Sequence, residues 1–312
     1  DEVVDSSATK DHDASYNLFK EPFPNLVLRL KVKNFAFKKY KLADIIGSLN
    51  VKENHYIHTN KLQFKTAGGL VEIKGYINAS NPQQIYLNPY LKFQQVDMDQ
   101  LFIKLDNFGQ DMLVSDNVHG LLTGKIKGII KLHTDLTPIL NKADLQMDFR
   151  LENGRLDNFA PMQVLSGYFG NKNLNRIRFD TLENRFLFKN GQLSFPNMHI
   201  NSSLGYIELS GTQHIDKHMD YYIRVPLKLV GNAAFNKLFK RKPTDISPDQ
   251  EDELIIKDPT RRTRFVNVRI VGKPDDYKIS LQKNKDIKKG NSANKMNDFL
   301  FKELTAEFEN EE

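Results

Sequence analysis

Between Phe186 and Asp216 the chain reads FLFKNGQLSFPNMHINSSLGYIELSGTQHID. Apolar and polar residues alternate there with a period of two, interrupted only by turn residues. That period belongs to strands, since an amphipathic helix repeats its apolar residues every 3.6 positions. Asn190-Gly191 is a tight-turn dipeptide, suited to a two-residue hairpin. Leu193 and Phe195 alternate before Pro196, and Met198 and Ile200 alternate after it. Asn201-Ser202-Ser203 make a polar turn. Ile207 and Leu209 then point one way, and Tyr206, Glu208 and Ser210 the other. The stretch predicts strand, turn, strand, turn, strand.

The same unit occurs earlier. A shift of 136 residues lays Val51–Ser80 onto Leu187–Asp216 without a gap. Asn54 meets Asn190, Gly69 meets Gly205, Glu72 meets Glu208 and Gly75 meets Gly211. Ile57, Leu62, Phe64, Val71 and Ile73 meet Leu193, Met198, Ile200, Ile207 and Leu209. A gapless match of this kind marks a repeated structural module. The alternative is the agreement any two β-meanders share through their alternation.

The rest of the chain follows the same pattern. Leu26, Leu28, Leu30 and Val32 form one face of a strand, and Arg29, Lys31 and Lys33 the other. Leu42 to Leu49 is ambiguous between a short helix and a strand. Asn81-Pro82 and Asn88-Pro89 predict breaks around strands near Ile85–Leu87 and Leu91–Gln94. In Leu121–His133, Leu122, Ile126, Ile130 and Leu132 share a face with Gly124 and Gly128, opposite Lys125, Lys127 and Lys131. Leu145–Leu151 alternates again. A helix is predicted from Asn158 to Gly170, with Pro161 in its first turn. Tyr221 to Leu229 predicts a long strand whose Pro226 favours an edge or a bulge. A short helix is predicted over Asn232–Lys242. Strands follow near Arg264–Val271 and Asp276–Leu281. The tail from Asn294 to Glu309 has the spacing of an amphipathic helix.

These residues exclude much chemistry. The chain has no cysteine, hence no disulfide, catalytic thiol or thiolate metal site. No G-x-S-x-G elbow occurs, and Gly124-Lys125 lacks the frame of a phosphate loop. His55/His58 and His214/His218 fall in predicted strand or turn without an HExxH frame, so no metal site is expected. Asp97 and Asp99 are better suited to capping a short helix than to holding a metal. The expectation is a chain without catalytic residues, metal or cofactor. No run of eighteen apolar residues occurs, so nothing here spans a bilayer as a helix. The net charge of +6 fits anionic partners such as phospholipid headgroups. FAFKKYK has an aromatic and basic composition, but its alternation is that of any half-buried strand with a lysine face, and no nucleic-acid partner is expected.

The predicted fold is therefore mainly β: an elongated, strongly curved antiparallel sheet, groove-like or sandwich-like, with a few short helices. Either two sheets bury their apolar faces against each other, or one curved sheet keeps them as the lining of a groove. Such a groove would solvate acyl chains, since burying each CH₂ stabilises by about 0.8 kcal/mol. The candidate lining is Leu28, Leu30, Val32, Val71, Ile73, Ile126, Ile130, Ile207, Leu209, Ile223, Val225 and Leu227. Lys237, Lys240, Arg241 and Lys242 are candidates for facing headgroups or a membrane surface. Four regions are expected: a disordered lead-in over 1–15, a first β module over 16–120, a second β region with internal helices over 121–281, and a mobile segment with a C-terminal amphipathic helix over 282–312.

The segments GLLTGKIKG, FRLENGRLDNF, RIRFDTLENRFLFKNGQLSFPNMHI and SSLGYIELSGTQHIDKHMDYYIRVPL resemble the C-terminal region of AsmA-like proteins of bacterial envelopes. VDMDQLFIKL and the Val51 module extend the likeness. The resemblance implies a curved β structure with a hydrophobic groove, projecting into the periplasm and tethered to the inner membrane by an N-terminal helix. It also implies a part in outer-membrane biogenesis and phospholipid movement, with phospholipid, a membrane surface or envelope proteins as partners. The expected tethering helix is not in this sequence. The chain begins at Asp1 without Met, which agrees with removal of an N-terminal signal or anchor. The alternative is a structural or protein-interaction module with a closed core and no lipid cargo.

Overall fold

The computed structural model describes residues 17–37, 40–104, 117–158, 162, 173–227, 253–256, 260, 263–273 and 276–282. Thirteen strands lie in this span. They are β1 (Leu26–Phe37), β2 (Tyr40–Lys52), β3 (Tyr56–Thr66), β4 (Gly69–Asn78), β5 (Ile85–Asp97), β6 (Val118–Leu132) and β7 (Asp144–Asp157). The second group is β8 (Arg176–Lys189), β9 (Gln192–Ser202), β10 (Gly205–His214), β11 (Met219–Pro226), β12 (Phe265–Lys273) and β13 (Asp276–Gln282). A short helix, α1 (Met98–Lys104), follows β5, and one 3-10 turn spans Leu140–Lys142.

All thirteen strands belong to one antiparallel sheet, and their order in the sheet is their order in the chain. The sheet is not closed, so β1 and β13 are its edges. The described residues contain no second sheet. Residue 120 lies inside β6, at the register shift between His119 and Leu121 in the β6–β7 ladder.

The 136-residue echo is a hairpin with the same backbone pairing. Adding 136 to the bounds of β3 and β4 gives the bounds of β9 and β10. Ile57, Thr59, Leu62 and Phe64 pair with Ile77, Gly75, Ile73 and Val71. Leu193, Phe195, Met198 and Ile200 pair with Gln213, Gly211, Leu209 and Ile207, the equivalent positions. Both hairpins carry a bulge at the same place, between Thr59 and Leu62 and opposite Leu209/Gly211. An extra residue in one strand lets side chains three apart stay on one face. Pro196 therefore sits within β9 rather than at its end. The turns that precede the two hairpins differ. Asn190 and Gly191 both have positive φ, 51° and 72°, the two-residue turn the sequence predicts. Before β3 the loop has three residues, since Lys52 pairs with Tyr56, and His55 takes the left-handed position at φ 57°.

Glycine is required at two equivalent points. Gly75 and Gly211 have φ of 126° and 153°. A Cβ would come within 2.0 Å of the Asn88 carbonyl oxygen at the first and 2.3 Å of the Asp220 carbonyl oxygen at the second.

Several sequence expectations change. Leu42–Leu49 is strand, within β2. Asn88-Pro89 does not break a strand: β5 runs through it, and Pro89 is buried opposite Gly75. The β5–β6 ladder has no paired positions at 88 and 89, so the missing N–H of proline interrupts nothing. Pro226 does not mark an edge, because β11 lies between β10 and β12; the proline is simply its last residue. The strand predicted to reach Leu229 ends there. Asp97 is the cap of α1, its Oδ1 accepting the Gln100 N–H at 2.9 Å. The lead-in over 1–15, the helix over 232–242 and the C-terminal helix lie outside the described residues. So does the Asn158–Gly170 helix apart from Asn158 and Met162; Met162 is helical and buried.

Candidate functional site

Residues directly opposite each other in an antiparallel pair share a face. Following the pairing across the sheet gives one apolar band. It runs Leu30, Gly47, Leu62, Ile73, Leu91, Ile126, Met147 and Phe186 from β1 to β8. The rings of Phe186 and Phe195 are 6.2 Å apart, which carries the band to β9. Gly211, Tyr221, Ile270 and Ile279 complete it to β13. Phe195 and Tyr221 are 5.6 Å apart.

Eleven of the twelve predicted lining residues lie on this face. Leu28 is opposite Leu49 and Val32 opposite Ile45. Val71 lies opposite both Phe64 and Phe93, and Ile130 opposite Leu87. Ile207 pairs with Ile200, Leu209 with Met198 and Ile223, and Val225 with Val266. Leu227 is the exception. It lies one residue past β11 and is 40% exposed.

The face is not uniformly covered. From β9 to β12 most of it is sealed: Met198, Ile207, Ile223, Val225 and Ile270 are buried in one cluster, against which the half-buried Ile200, Leu209 and Val266 pack. From β2 to β8 much of it is half-buried, including Leu62, Ile73, Leu91, Ile126, Ile130, Met147 and Phe149. Val71, Phe93 and Leu122 are buried there, in a second cluster that also takes Leu101 of α1. On β1, Leu30 and Val32 are half-buried and Leu28 is 43% exposed. A third cluster, with Leu18, Ile85 and Leu132, closes one end.

The opposite face is polar and differs between the two halves. In the first half, Glu72 lies between Lys61 and Lys74 at 3.1 and 3.5 Å, and the Lys61 ammonium holds its carboxyl below the usual range. In the second half, Arg224 donates to both oxygens of Glu208, at 3.0 and 2.9 Å. Arg269 grips Asp220 with two hydrogen bonds of 2.8 and 2.7 Å. On the apolar face, burial pushes the Tyr221 hydroxyl well above its usual range, and that hydroxyl donates to Gln213 Oε1.

Sequence reading missed one constellation. His119 Nδ1 lies 2.7 Å from Asp99, and its Nε2 lies 3.2 Å from Asp157. Arg155 Nε donates to both oxygens of Asp157. The group ties α1 to the ends of β6 and β7. No spacing in the sequence signals it, because the residues come from three elements. Among the described residues, no group of three or more His, Asp or Glu side chains is placed to hold a metal ion. No described helix is long and apolar enough to cross a membrane. Lys237, Lys240, Arg241 and Lys242 lie outside the described residues. Comparison with protein-family models, curated proteins and solved structures finds no match to this chain.

Proposed function

We propose that this is a non-enzymatic cell-envelope protein that binds phospholipid acyl chains along the apolar face of a curved sheet, and so contributes to outer-membrane biogenesis or lipid transport. The carrying observation is the half-buried apolar band from β2 to β8, which no second sheet covers among the described residues. Curvature is supported by the strand count and by the bulges. Strand twist accumulates, and open sheets beyond about ten strands tend to curl. Bulges in β2–β3, β3–β4, β5–β6, β6–β7 and β9–β10 add local bends. Moving a sixteen-carbon chain out of a bilayer needs apolar surroundings worth on the order of 12 kcal/mol. The band supplies side chains of that kind and requires no reactive group. A periplasmic location with an inner-membrane tether is what the AsmA-like resemblance implies.

The sealed cluster over β9–β12 favours a second reading for that half, an ordinary closed core. The test separates the two. Purified protein is extracted with organic solvent, and the extract is analysed by mass spectrometry. Co-purifying phospholipid is expected. A photo-reactive residue at Ile126 should cross-link to it, and one at Val225 should not. A lipid-free extract, or cross-linking at neither position, overturns the proposal.

A further inference from the structure

The polar face carries its own signal. Strands β1–β6 hold eleven lysines and one arginine against three carboxylates, Asp44, Glu72 and Asp97. Strands β7–β13 hold ten basic residues, seven of them arginine, against nine carboxylates. The fold does not require the excess. In the two equivalent hairpins, Lys61, Lys65 and Lys74 correspond to Asn197, Asn201 and Ser210 on an identical register. Lys92 faces Lys125 directly across β5–β6, while Lys125 meets Asp148 of β7 at 3.8 Å on its other side.

Tyrosines accompany these lysines. Tyr56 and Tyr76 stack at 5.4 Å, and Tyr76 meets Tyr86 edge-on at 6.1 Å. Lys131 lies opposite Tyr86, and Lys127 opposite Tyr90. The Lys74 ammonium sits 5.6 Å from the Tyr90 ring centre. In the second hairpin, the positions of Tyr56 and Tyr76 hold Gln192 and Thr212.

We propose that the polar face of β3–β6 is a docking surface for an anionic phospholipid bilayer. Lysine suits such a partner, because a flexible stem with a point charge follows mobile phosphates spread over a plane. Arginine, by contrast, locks onto one fixed carboxylate, as it does in β10–β12. Tyrosine joins an apolar ring to a polar tip and settles at the headgroup level. A single-stranded nucleic acid would need open ring faces for its bases. Here the Tyr56 and Tyr76 faces are stacked on one another. The lipid-binding band lies on the other side of the sheet, so docking and acyl-chain binding fail separately.

The experiment is vesicle flotation of the whole chain, with phosphatidylglycerol-containing and phosphatidylcholine-only vesicles. Binding to the anionic vesicles alone is expected, with release toward 1 M salt, where the screening length is about 3 Å. The double variant Lys92→Gln/Lys131→Gln should bind roughly twenty-five-fold more weakly, about fivefold per lysine. The charge-matched variant Lys273→Gln/Lys278→Gln, in β12 and β13, should bind like the wild type. Circular dichroism melts establish that both variants fold. If a variant unfolds, the salt and headgroup dependence of the wild type decides. Equal losses in the two doubles, equal binding to neutral vesicles, or tighter binding to a single-stranded oligonucleotide than to anionic vesicles overturns the proposal.

Discussion

The hairpins β3–β4 and β9–β10 share bounds, register and bulge, yet they sit in different surroundings. Val71 and Ile207, equivalent by pairing, are both buried, at 4% and 5% exposure. Leu62 and Met198 are also equivalent, but Leu62 is half-buried whereas Met198 is sealed. Glu72 and Glu208 keep the same place and find different partners, lysines in one case and an arginine in the other. Local sequence thus sets the backbone pairing, and the neighbours set how much of each face meets solvent.

The largest effect should separate the two hairpins. Met198→Ala should cost about 2–5 kcal/mol, the range for emptying a sealed site. Leu62→Ala should cost about 1–2 kcal/mol, since a half-exposed side chain has less burial to lose. Denaturant titration of both variants checks this; equal losses would remove the distinction between an open and a sealed half. The next effect should unite them. Gly75→Ala and Gly211→Ala should each destabilise by about 1–3 kcal/mol, because each forces a strained φ against a facing carbonyl. A loss at one position only would show that the equivalence stops at the register.

The smallest effect is electrostatic. Asp216 stands where the first copy has Ser80. The His218 backbone N–H, then the His214 side chain and Lys273, lower its carboxyl from 3.8 to about 2. A depressed carboxylate stabilises the folded state above its unfolded value and loses that contribution as pH falls through the folded one. Amide exchange at the β10–β11 turn should therefore quicken as pH drops from about 4 to about 2, beyond the intrinsic trend, and the turn around Ser80 should show no such excess.

The hairpin was legible because Asn, Gly and Glu positions and five apolar positions recur at one offset in both copies; its bulge was not, since Thr59 stands where the second copy has Phe195. The membership of the apolar face was legible too, since alternation assigns each side chain a side. Its covering was not. Ile126 and Ile223 have the same pattern in sequence, and only one is sealed. Pro89 misled because a proline's cost depends on what its neighbour strand offers at that point, which lies far away in the chain. The charge asymmetry of the polar face escaped notice for the reverse reason. Each lysine is ordinary within its strand, and the excess appears only when six strands are laid side by side.

Strand order equal to chain order has one more consequence. Each strand pairs only with the strand before it and the strand after it in the chain, across short turns in most cases and across longer connections before β6, β8 and β12. The hairpins joined by short turns form early and without large loop-closure costs. Such a ladder has no circumference to satisfy. A hairpin can be added or removed in evolution, and the strands on either side need only re-pair across the gap. The width of the apolar face is then a quantity that selection can adjust in steps of two strands, leaving the rest of the architecture unchanged.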